Sequence, residues 1–139
     1  MTKQMKPIVT NEIRLVDSSG KTRLLLTTQS GAPTIQLLRP DGAVGLAASL
    51  DEAGRGSVSI HNSDPSGPSV ALEVDDKGSH VKFDRPGKAS AYVFLNNSGQ
   101  SGLVFLDATG KRRFNIQVHA NGDVIMQRLD DSGNPIPNG

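Results

Sequence analysis

No cysteine and no tryptophan occurs anywhere in the 139 residues. The first absence excludes disulfides and thiolate metal ligands. The second removes the broadest ring a protein can offer to a sugar or a nucleobase, and aromatic residues of all kinds reach only 4%. Charge of one sign is missing too: fifteen Lys and Arg stand against fourteen Asp and Glu, a net +1. So balanced a chain has no global field to draw it to nucleic acid or to an anionic membrane, and neither is expected as a partner. No window approaches a membrane span, and the opening MTKQMKPIV lacks the apolar run of a signal peptide. With cysteine absent as well, a cytoplasmic location is the expectation.

What the chain does have is glycine at regular intervals. Glycines 20, 31, 42, 54, 67, 78, 87, 99, 110, 122 and 133 follow one another at steps of nine to thirteen residues. Three residues before them stand Asp17, Thr28, Arg39, Asp51, Asp64, Asp75, Asp84, Asn96, Asp107, His119 and Asp130. Asp and Asn are favoured at the first position of a type I turn, and Gly at the fourth accepts φ > 0 without steric cost. That pairing predicts type I turns closed by a G1 bulge, a common hairpin connection. Pro40 and Pro65 sit at the second turn position, where φ near −65° is wanted. Pro86 sits at the third, so an irregular turn is expected there.

Between turns run segments of strand length with alternating apolar residues, such as Ile35/Leu37, Val58/Ile60, Val70/Leu72/Val74 and Phe114/Ile116/Val118. Period two with one apolar face predicts half-buried antiparallel strands, and no segment is long enough for a helix. The expected fold is all-β: an antiparallel up-and-down meander of about eleven strands, with any twelfth reduced to a Pro-flanked stub around Ile136. A flattened barrel or two-layer sheet fits the one-sided alternation, with a β-propeller or a β-solenoid as alternatives. Residues 1–10 are expected to be a mobile arm, 11–133 the β-repeat domain and 134–139 a tail. Gly110→Ala should cost on the order of 1 kcal/mol. Gly102→Ala, outside the series, should cost less unless packing forbids a methyl there.

Two segments, 91–95 and 103–106, are apolar on both sides and hold the only tyrosine. Tyr92, Phe94, Val104 and Leu106 share one side of them and form a candidate oligomer interface, for a dimer or a trimer. The competing reading is a central strand pair covered by another layer of the same chain. Lys21, Arg23, Lys88, Lys111 and Arg113 follow turn glycines and are candidates for binding an anion or a carboxylated glycan. Against that, rim lysines commonly serve to keep sheet edges soluble.

Nothing in the sequence marks a catalytic residue, a metal site or a cofactor. The pairs Asp75/Asp76, Asp130/Asp131 and Asp51/Glu52 each include a turn-opening Asp, and turn chemistry accounts for them. His61, His80 and His119 lack metal-ligand spacing. Asn96-Asn97-Ser98 reads as a turn rather than as a glycosylation site.

The core D-x-x-G-K-x-R occurs twice in full, at Asp17–Arg23 and at Asp107–Arg113. Flanked by apolar strands, it resembles a loosely defined group of bacterial tandem β-hairpin repeat proteins without an assigned function. The resemblance implies an all-β repeat fold and brings no catalytic residues. A non-enzymatic structural or interaction module that self-associates is the leading expectation. A glycan or small-ligand binding protein is the first alternative, and a barrel enzyme with a buried site the second.

Overall fold

The computed structural model describes residues 6–86 and 90–137. Twelve strands follow in chain order: β1 (Glu12–Val16), β2 (Thr22–Thr27), β3 (Thr34–Leu38), β4 (Val44–Leu50), β5 (Gly56–Ile60) and β6 (Ser69–Val74). The second half holds β7 (Gly78–Asp84), β8 (Ser90–Asn96), β9 (Ser101–Leu106), β10 (Arg112–Val118), β11 (Val124–Leu129) and β12 (Pro135–Ile136). They form one sheet in the order β1 to β12, each strand antiparallel to the next. The eleven-strand meander and the proline-flanked stub at Ile136 are therefore both present.

The turns explain why the chain doubles back where it does. At the first, Gly20 N donates to the Asp17 carbonyl (2.9 Å) and Asp17 N to the Lys21 carbonyl (2.8 Å). The Asp17 carboxylate accepts from the amides of Ser19 (2.9 Å) and Lys21 (3.1 Å). The same four bonds recur in the turns opened by Asp51, Asn96, Asp107 and Asp130. Arg39 and His119 open turns with the same two backbone bonds, and there the third residue, Asp41 or Asn121, accepts from the amide of Ala43 or Asp123 instead. Gly20, Gly54, Gly99, Gly110 and Gly133, the fourth residues of the five complete turns, have φ between 76° and 85°, the left-handed conformation the turn demands. The Asp75 turn is tighter: Asp75 N donates to the Gly78 carbonyl (2.9 Å), and Gly78 takes φ 150°. The irregular turn expected at Pro86 runs into residues 87–89, outside the described residues.

The sheet is neither a barrel nor two layers. β1 and β12 form its open edges, and among the described residues strands contact only their sequence neighbours. Short turns oblige each strand to pair with the one before it, so among the described residues no segment crosses over to cover the sheet. β12, only two residues long and carrying Pro135, is a poor template for pairing with β1, which closure would require.

Register then sorts the side chains. Ile13, Leu26, Ile35, Ala48, Val58, Leu72, Val81, Val93, Leu103, Ile116 and Met126 stand opposite one another in turn, an unbroken aliphatic row from β1 to β11. A second row on the same face runs Leu15, Leu24, Leu37, Leu46, Ile60, Val70, Phe83, Ala91, Phe105 and Phe114, ending at Arg128 and Ile136. The other face carries Thr27, Thr34, Ser49, Ser57, Glu73 and His80 in one row, and Gln36, Ala47, Ser59, Ala71 and Lys82 in the next. With one layer there is almost no interior. Among the described residues only Val104 is a fully buried apolar side chain.

Basic side chains tie successive hairpins together. Lys21 Nζ reaches the Pro40 carbonyl (3.0 Å), Arg39 the His61 carbonyl (2.6 Å), Arg85 Nε the Ser66 carbonyl (2.7 Å) and Lys111 Nζ the Asp131 carbonyl (2.8 Å). Each crosses from one turn to the next at the same end of the sheet.

Candidate functional site

The largest feature of the molecule is its apolar face. Leu72, Val93 and Met126 of the middle row remain 51%, 51% and 56% exposed, where core residues would be covered. Twelve strands about 4.8 Å apart and about 17 Å long give the face a footprint of roughly 900 Å². Alternation in the sequence marks these residues strand by strand. That all the strands share one phase relative to their turns, and so build one continuous surface, is visible only in the paired register.

Tyr92, Phe94, Val104 and Leu106 lie together, on the opposite and mostly polar face. Tyr92 stands across from Val104. The Tyr92 and Phe94 rings are 6.0 Å apart and tilted by 46°. Phe94 lies over Gly102, where an added methyl would meet the ring at 2.8 Å and the Ile116 carbonyl at 2.6 Å. Packing thus forbids a methyl at Gly102, the exception allowed for in the sequence reading, whereas Gly110 has open space around it. Beside Val104, Asn115 is 2% exposed and its Oδ1 has no hydrogen-bond partner. The other four residues of this strand pair, Val93, Leu95, Leu103 and Phe105, join the apolar face.

A concavity of about 520 Å³ opens on this polar side, lined by Tyr92, Phe94, His80, Lys82, Asp84 and Ser90 among others. Two polar pairs lie at it: Lys82 Nζ is 3.0 Å from Asp84 in the lining, and His80 Nε2 is 2.8 Å from Glu73 beside it. The Ser90 hydroxyl donates to Asp84 (2.6 Å), and this bond holds the Asp84 carboxyl below the usual carboxylate range.

Lys21, Arg23, Lys111 and Arg113 all leave turns at one end of the sheet, as the repeat implies. The two pairs are eight strands apart, about 38 Å at the sheet spacing, so they do not converge. Lys88 lies outside the described residues. The other four have internal acceptors. Besides the lysine bonds above, Arg23 Nε donates to the Leu38 carbonyl (2.9 Å), and Arg113 pairs with both Asp107 and Asp131.

The turn carboxylates are occupied by their own backbone. The Asp107 carboxylate accepts from the Thr109 hydroxyl and amide and from the Lys111 amide, and it pairs with Arg113. These contacts, led by the Thr109 hydroxyl, hold its pKa far below the ordinary carboxylate value. Asp51, Asp75 and Asp130 are lowered in the same way, chiefly by turn amides. Thus the three acidic pairs are turn devices, each with an Asp bound to its own loop.

The surfaces that stand out are therefore one continuous apolar face and one aromatic patch on its polar reverse. A scan against protein-family models and a search of curated proteins matched nothing to this chain.

Proposed function

We propose that the chain is a structural and interaction module that works by associating with copies of itself through the apolar face. The observation that carries the reading is the eleven-residue aliphatic row lying on a sheet that, among the described residues, has no second layer. The chain exposes 9898 Å², whereas a compact monomer of its 14.7 kDa exposes about 6,900 Å². A face of roughly 900 Å² matches the area that each partner of a standard specific interface buries. Covering one such face with another, about 10 Å apart, is the packing of a β-sandwich. A dimer joins two faces directly, and a trimer turns three toward one axis. Either supplies the core that one chain lacks.

Sedimentation velocity at tens of micromolar tests the reading. Two or three chain masses are expected from this contact by itself, and a clean 14.7 kDa particle would end it.

A second reading, binding of a glycan or another small ligand, draws on the concavity beside Tyr92 and Phe94. The two rings, with the Ser90 and Asp84 oxygens beside them, suit a hydroxyl-rich molecule. Titration with neutral oligosaccharides, compared between the native chain and Tyr92→Ala, tests that reading: binding that Tyr92→Ala does not weaken would place it elsewhere.

A further inference from the structure

The two edges of the sheet differ. β12 is two residues long with Pro135 in it and Pro137 beyond, and proline blunts an edge by removing the donors a new strand would need. β1 has five residues and no proline. In an antiparallel ladder, residues alternate between bonding the neighbour and pointing away from it. Thr28 N donates to the Asn11 carbonyl, and the register sets Ile13 against Leu26 and Leu15 against Leu24. The backbone groups of residues 11, 13 and 15 therefore face β2, whereas those of Glu12, Arg14 and Val16 face outward.

The Thr10 hydroxyl occupies part of that outward row. It accepts from Glu12 N (3.3 Å) and donates to the Glu12 carbonyl (3.1 Å), where a neighbouring strand would bond. The side chains of Glu12 and Arg14 lie on the polar face and pair with each other within the strand.

We propose that β1 is a second and separate self-association site, at which the β1 strands of two copies pair antiparallel about a twofold axis through Ile13. The outward groups allow only even-numbered residues to exchange hydrogen bonds across this edge. A twofold axis at Arg14 would set Arg14 against itself, and one at Glu12 would set two carboxylates together. The axis at Ile13 sets Glu12 of each copy opposite Arg14 of the other, twice, so that opposite charges face across the pair. Thr10 then stands opposite Val16, its hydroxyl yielding the Glu12 N–H and carbonyl to the second copy, and the two Ile13 residues meet as a non-hydrogen-bonded pair on the apolar face. The contact is isologous and closed: it joins two sheets edge to edge into one continuous sheet, and the prolines of β12 stop it there. This contact is independent of the covering of the apolar face and adds a different symmetry to the assembly.

The chain's lack of cysteine provides a direct test. Across the twofold, the Ile13 Cα atoms would stand about 4.5 Å apart, within disulfide range. Two Leu15 residues would be separated by about 14 Å, four residues along the strand. Air oxidation should therefore link Ile13→Cys into pairs of chains on a non-reducing gel and leave Leu15→Cys single. Arg14→Pro removes an outward N–H and no bond to β2. Added to Ile13→Cys, it should abolish the linkage while the far-ultraviolet circular dichroism keeps its β spectrum. Glu12→Arg in that background should also abolish it, and adding Arg14→Glu should restore it. Failure of Ile13→Cys to link, equal linkage of Leu15→Cys, or linkage that survives Arg14→Pro overturns the proposal. Sedimentation of Arg14→Pro alone reports on the apolar face without the edge, so the two readings fail separately.

Discussion

The two faces of this sheet share one backbone, one set of turns and one register, yet they carry opposite chemistry. On one face, aliphatic residues stand opposite each other without a break from Ile13 to Met126. On the other, Ser49 and Ser57 share a hydroxyl bond (3.2 Å), Glu73 bonds His80, and Gln100 bonds Gln117 (3.0 Å). Polar residues of this kind are satisfied within the layer or by water. Leu, Ile and Val are satisfied only by being covered. Local pairing therefore satisfies most of the polar face and leaves the apolar face to be completed by something else.

Charging each face in turn separates the two most sharply. Leu72→Glu, in the middle aliphatic row, should break the contact between apolar faces and lower the mass, because each large side chain there contributes roughly 1.5–3 kcal/mol when covered. Ser59→Glu, directly across from Ala47 and Ala71 on the polar face, should leave the mass unchanged. Sedimentation with circular dichroism measures both. Equal effects from the two would mean that the faces are not distinguished as their composition suggests.

The glycines differ among themselves as the faces do. Gly78→Ala should be the worst of three, because φ is 150° and a methyl would lie 2.2 Å from the Leu95 carbonyl; a loss of roughly 3 kcal/mol or more is expected. Gly102→Ala should follow at about 1–3 kcal/mol, since Phe94 or the Ile116 carbonyl must move. Gly110→Ala, strained at φ 80° but with nothing near it, should cost about 1 kcal/mol. Denaturation midpoints give the order. If Gly110→Ala ranked above Gly102→Ala, the stacking of Phe94 on β9 would be wrong.

Smaller still is the pH effect of the turn carboxylates. Asp107, Asp51 and Asp130 are held below their unfolded pKa, so the unfolded chain binds more protons in acid. Their stabilisation is complete above the unfolded value, about 4, and is lost as pH falls from there through the folded values. The thermal midpoint should decline across that window, and Asp107→Asn should make the decline shallower. Because Asn96 closes its own turn with the same amide bonds, Asp107→Asn should keep the turn, and Asp107→Ala should weaken it. A midpoint that holds steady between pH 4 and pH 2 would count against these turn bonds. The least effect is expected at Lys21→Ala and Lys111→Ala, within about 0.5 kcal/mol, as for exposed surface residues generally.

Much of the fold was legible in the chain. Asp, Asn and Gly at fixed spacing act within four or five residues, and their hydrogen bonds need no distant partner. Hence the turns at Asp17, Asp51, Asn96, Asp107 and Asp130 could be read directly, and up-and-down pairing followed. The alternation of Ile35/Leu37 or Val58/Ile60 likewise belongs to each strand alone. The apolar surface as a whole was harder to read. Its residues were visible as separate alternations, whereas Tyr92, Phe94, Val104 and Leu106 drew attention as the conspicuous excess. The two sets prove to lie on opposite sides of the sheet.

By itself, then, the order of residues determined the strands, their turns and which side of each strand is apolar, because these depend on neighbours in sequence. Only the tertiary structure decided that the sheet stays open in one layer, that the apolar sides align into one face and that Phe94 excludes a methyl at Gly102. Each of those depends on the register between strands and on the absence of any crossing segment among the described residues. Register is a property of pairs of strands, and coverage is a property of the whole sheet.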